Sequence, residues 1–113
     1  MPFFVCQVGF DPIAEMGTVH HMLLFGCSVP ASREHVWPCK MQAACGDGGD
    51  SVLYGWGRNA PRIDLPKGVS YSTGPGSGIR AIVLQVHYLE PRPANDTSGL
   101  AYVSNIFALI LVE

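Results

Sequence analysis

Apolar residues fall along this chain in short runs, many with a period of two, bounded by glycine and proline. Phe3 to Phe10 is apolar with β-branched residues and reads as a strand that Asp11-Pro12 ends. Val19 to Phe25 reads as the next strand, closed by Gly26. Ser51 to Trp56 follows a glycine-rich turn at Gly46 to Gly49. Ile79 to Tyr88 has the clearest alternation: Ile82, Leu84 and Val86 share one face, and Val83, Gln85 and His87 share the other. Pro91 and Pro93 end it. Leu100 to Val112 is expected to hold one or two more strands. With 13 glycines and 9 prolines, hardly any window is long enough for a helix. Short strands between Gly/Pro turns predict an all-β, antiparallel β-sandwich of jelly-roll-like type. Residues 28 to 50 form a long irregular excursion, which needs a tether; Cys39 and Cys45 are available for one. No internal repeat or low-complexity segment is present.

The chain has 113 residues, enough for one domain with one core. Apolar residues make up 48% and charged residues only 14%. So few charges imply a surface rich in uncharged polar groups, or one partly covered by something else. The net charge of −2 favours neither nucleic acid nor an anionic membrane as a partner. Cysteines stand at 6, 27, 39 and 45, without a C-x-x-C pair, which argues against a zinc ribbon or a thioredoxin-type site. The local cluster reads as a disulfide-stapled loop made in an oxidising compartment. Asn95-Asp96-Thr97 is a glycosylation acceptor triplet, in keeping with secretion, although such triplets are common by chance. Met1 to Val5 lack the basic region and cleavage site of a signal peptide. The longest apolar run, Ile106 to Val112, is too short to span a bilayer. These features suit a mature piece or a fragment of a secreted protein.

The histidines are at 20, 21, 35 and 87. Imidazole suits copper, zinc, iron and nickel. Neighbours on a regular strand point to opposite faces, so His20 and His21 reach one metal only if the backbone bends. Gly17, Thr18 and a strand edge would allow such a bend or a bulge. A Gln85-x-His87 pair on an apolar strand needs polar partners. Spacing alone leaves open that His87 is a hydrogen-bonded, half-buried residue and that one of His20 and His21 is merely exposed. His35 lies beside Ser32, Arg33 and Glu34 and reads as a solvated loop residue.

The flanking residues add to this reading. Thr18-Val19-His20-His21-Met22-Leu23-Leu24-Phe25-Gly26-Cys27 resembles the copper-binding segment of the peptidylglycine alpha-hydroxylating monooxygenases. Val52-Leu53-Tyr54-Gly55-Trp56-Gly57-Arg58-Asn59-Ala60-Pro61 resembles that family's Leu-Tyr-Ala-Trp-Ala-Arg-Asn-Ala-Pro segment. Leu65-Pro66-Lys67-Gly68-Val69 follows at the expected place. Val83-Leu84-Gln85-Val86-His87-Tyr88 is similar to the strand that carries a third ligand, and Asn95-Asp96-Thr97-Ser98-Gly99 to a further segment. Order and spacing agree from about Phe10 to Gly99. The related dopamine-hydroxylating branch shares the histidine pair but fits these flanks less well.

The resemblance implies two β-sandwich domains with one copper each. The first copper, held by three histidines, handles electrons. The second, held by two histidines and a methionine, activates oxygen and hydroxylates the glycine α-carbon of a glycine-extended peptide. Ascorbate supplies the electrons. On this reading residues 1–113 are a single, first copper-binding domain, shortened at its N-terminus, with His20, His21 and His87 as ligands. Gln85 is placed as a hydrogen-bonding neighbour of the site or as an ordinary sheet-face residue. Met22, Leu23, Leu24 and Phe25 read as core, and Trp56 and Arg58 as structural. Cys27 and Cys45 match a disulfide of the family. Cys39 matches a cysteine whose usual partner lies upstream of this chain, and Cys6 does not stand at that partner's position. Cys6 either substitutes for it, or Cys6 and Cys39 are free thiols. Thr97 stands where the family has a further cysteine.

After His87 there is no histidine, and after Met41 no methionine. The second copper site is therefore expected to be absent, leaving a domain that binds copper and cycles its redox state without hydroxylating peptides by itself. Its partners would be the second copper domain, the peptide only in the full enzyme, and a second copy if the uncovered interface associates. Its location would be the secretory pathway or outside the cell. Two other readings stand beside this one: a stand-alone copper or electron-transfer module, and a noncatalytic interaction sandwich whose histidines are relics. A zinc hydrolase is more distant, since no base is placed for it, although Glu15 lies five residues before His20.

Overall fold

The computed structural model describes residues 5–39, 43–90 and 96–105. They form two antiparallel sheets and, among these residues, no helix, so no helix long and apolar enough to cross a membrane. The strands are β1 (Val5–Ile13), β2 (Val19–Cys27), β3 (Ser51–Gly57), β4 (Ile63–Asp64), β5 (Tyr71–Thr73), β6 (Ala81–Tyr88) and β7 (Gly99–Asn105). In the first sheet, β1 is central: β7 pairs along it, and β5 and β4 pair with its two successive halves. The second sheet has the order β3-β2-β6. The architecture is an all-β sandwich.

Asp11 and Pro12 do not end β1, contrary to expectation. They continue it, opposite Ala101 and Leu100 of β7. Proline lacks the N–H that a central strand needs on both sides. Here β4 pairs only with Gly9 and Phe10, so Pro12 sits where β1 has a strand on one side alone. Gly26 likewise does not close β2, which runs on to Cys27. Gly9 is required: a Cβ there would lie 2.8 Å from Asp64 Oδ1 and 3.2 Å from the Ile63 carbonyl oxygen. The seventh strand covers 99–105; the rest of the expected Leu100 to Val112 run, and Phe3 and Phe4, lie outside the described residues.

Alternation on the second sheet divides its side chains between two cores. Its inner face sends Leu24 and Leu53 against Phe10 of the first sheet, and Val19, Met22 and Trp56 against each other. Each of these six residues is less than 10% exposed. Its outer face carries Phe25 and Cys27, which are also buried, beneath Ala44 and Cys45 of the 28–50 excursion. That excursion is irregular, as expected, and is held by the Cys27–Cys45 disulfide. The Asp50 carboxylate accepts the backbone N–H groups of Ala44 and Cys45 at 3.0 and 2.8 Å. Cys6 and Cys39 are free thiols. The excursion covers one end of the outer face. At the other end lie the histidines.

Candidate metal centre

His20 and His21 reach one face because β2 is bulged between them and the preceding valine. Val19 pairs with Tyr88 of β6, but His21 pairs with His87, so β2 advances two residues while β6 advances one. His20 is the extra residue. The consequence is visible in burial. Val19 and Met22, three positions apart, both point into the core at 0% and 1% exposure. The two histidines between them are left outside. A regular strand would have driven one histidine inward or exposed a core residue.

The turn before the bulge is held by short bonds. The Glu15 carbonyl accepts from the N–H groups of Thr18 and Val19, each at 3.0 Å, and the Glu15 carboxylate accepts from Gly17 N–H at 2.7 Å. Glu15 therefore serves its own turn. Asn59 Oδ1 accepts the Met16 N–H at 2.8 Å. Asn59 and Arg58 have positive φ, 55° and 52°, in a turn that the buried Trp56 closes by donating its indole N–H to the Ala60 carbonyl at 3.0 Å. Trp56 thus packs and hydrogen-bonds as the sequence suggested. The buttressing by Asn59 was not foreseen. An Arg-Asn pair after a strand signals a left-handed turn, but gives no hint of a contact 43 residues away.

The three imidazoles are neighbours. His20 Nδ1 and His21 Nδ1 lie 3.0 Å apart, with the rings edge-on at 65°. The ring of His87 stacks on that of His21, centroids 4.1 Å apart and planes 19° from parallel. His87 Nε2 lies 2.8 Å from Gln85 Oε1, two residues along on the same face. Burial, then the charges of His87 and His20, hold the His21 pKa below the usual histidine value. The shift favours the neutral ring, the form that ligates a metal. His35 is exposed in the 28–50 excursion and is not part of this cluster. A groove of about 880 Å³ between β6 and residues 30–39 has Gln85 in its wall but none of His20, His21 and His87. Asn95 lies outside the described residues.

The domain family of the copper type II ascorbate-dependent monooxygenases, N-terminal domain, matches residues 5–95. The chain belongs to this family. It is 46% identical over 89 residues to peptidyl-glycine alpha-amidating monooxygenase B of Xenopus laevis, covering 79% of this chain and 10% of that protein. It is 49% identical over 81 residues to the peptidylglycine alpha-amidating monooxygenase of Rattus norvegicus, covering 72% of this chain and 8% of that one. The chain thus spans a tenth or less of the length of these relatives.

The copper of this family can be tested against the geometry. Two donor nitrogens, each about 2 Å from one ion, lie roughly 3 Å apart, which is the separation of the two Nδ1 atoms here. Three neutral imidazoles without a thiolate suit both copper oxidation states. The donor set therefore fits. As the rings stand, however, the stacking of His87 on His21 does not aim three nitrogens at one point. Among the described residues, no group of three His, Cys, Asp or Glu side chains is already arranged around a metal position. A metal held by all three would require His87 to leave its stacked position.

Proposed function

We propose that this domain binds one copper ion through His20, His21 and His87 and serves as the electron-transfer half of an ascorbate-dependent peptidylglycine monooxygenation. The observation that carries this reading is the bulge at His20, which sets two histidines beside His87 with their Nδ1 atoms at ligand separation. A bound copper supplies a one-electron couple. The chain does the rest. The buried Val19, Met22 and Trp56 fix the backbone under the histidines. The bonds from Glu15 and Asn59 hold the turn that leads into them. The open outer face leaves His20 accessible to a small reductant such as ascorbate.

With no histidine after His87, residues 1–113 hold one three-histidine set and not a second site for oxygen and peptide. The glycine-extended peptide is then a substrate only when a second copper domain is present. The disulfide agrees with folding in the secretory pathway. One observation favours a different reading, a noncatalytic sandwich: the stacked rings of His21 and His87 do not form a ready ligand set. Anaerobic addition of ascorbate to the copper-loaded domain, followed by a glycine-extended peptide and oxygen, tests the proposal. Loss of the Cu(II) signal without hydroxylated peptide is expected. Hydroxylated peptide in stoichiometric yield overturns it.

A further inference from the structure

We propose that Gln85 is a positioning residue, which selects the nitrogen that His87 presents to the metal. This rests on the copper reading above and adds to it a role for a side chain that is not a ligand. Gln85 Oε1 can only accept a hydrogen bond, and it lies 2.8 Å from His87 Nε2. That contact is a hydrogen bond when the proton of His87 is on Nε2. A neutral imidazole carries one N–H, so Nδ1 is left with the lone pair. The tautomer of His87 is thus written by Gln85, and Nδ1 is the nitrogen it would present to a metal once the ring leaves its stack on His21.

The strand geometry explains why Gln85 can do this. Gln85 and His87 are two apart on β6 and share the outer face. Their partners on β2 are Leu23 and His21. The half-buried Leu23 beside Gln85 has no polar side-chain atom to compete for its amide. Without the acceptor at position 85, the ring contact left to His87 among the described residues is the stacking on His21. That contact does not distinguish the two tautomers.

The test uses 15N NMR of the histidine rings in the copper-free domain at mildly alkaline pH, together with competition titration of Cu(II). Wild type, Gln85→Val and Gln85→Glu are compared. Valine suits a half-buried strand position and removes the acceptor; glutamate keeps one. The wild type should show His87 as a single tautomer protonated on Nε2. Gln85→Val should show a mixture and bind Cu(II) roughly 10–100-fold more weakly, and Gln85→Glu should restore both. Protonation on Nδ1 in the wild type overturns the proposal even if no variant folds. A valine variant equal to wild type, or a glutamate variant no better than valine, overturns it while leaving the copper reading intact. A wild type that binds no copper overturns both.

Discussion

His20 is the residue on which the site turns. Its neighbours Val19 and Met22 are both core residues, and only an inserted residue lets both face inward with two histidines outside. The sequence showed the need for this device, since adjacent histidines cannot share a face of a regular strand. Sequence spacing did not show which residue is extra; the unequal pairing with β6 does. Asn59 belongs to the same scale. It combines a left-handed backbone with a bond to Met16. Alanine has neither the acceptor nor tolerance for that φ, so Asn59→Ala should lower stability by about 1–2 kcal/mol. Asn59→Asp keeps both and should stay within about 0.5 kcal/mol of wild type. Urea denaturation measures the difference; equal loss in both variants would contradict the buttress.

At the scale of elements, five of the seven described strands were legible because each is seven to nine residues long and rich in apolar side chains. β4 and β5, of two and three residues, were not. They are strands only because β1 offers them an edge, and no local pattern records that. Pro12 misled for a related reason: a proline is a breaker only where both sides of the strand are paired. The 28–50 excursion was legible as a loop, but its position was not. Phe25 and Cys27 on the outer face become core only because the excursion returns over them and is tied at Cys45. Replacing Cys27 and Cys45 together by alanine opens a loop with a sequence separation of 18. It should lower stability by about 3 kcal/mol, read as a fall in the midpoint of thermal unfolding. An unchanged midpoint would mean that the excursion is held by its backbone bonds alone.

Across the whole molecule, the first sheet and the excursion act as supports, and the second sheet carries His20, His21 and His87. Its inner face is packed against Phe10 and its outer face is packed at one end, which fixes β2 and β6 in register where the histidines meet. The family was legible from the segments around His20, Trp56 and His87, because those segments combine core residues with the residues that shape the bulge and its turn. The stacking of His87 on His21 was not, since ring orientation depends on what occupies the space between the rings. One measurement decides whether this arrangement is a metal site: Cu(II) binding to the domain followed by electron paramagnetic resonance, for wild type and His87→Ala. One tightly bound copper with a nitrogen-rich signal, lost or reshaped in the variant, is the predicted result. No stoichiometric copper, or a signal indifferent to His87, would contradict the account and leave a scaffold without a working site.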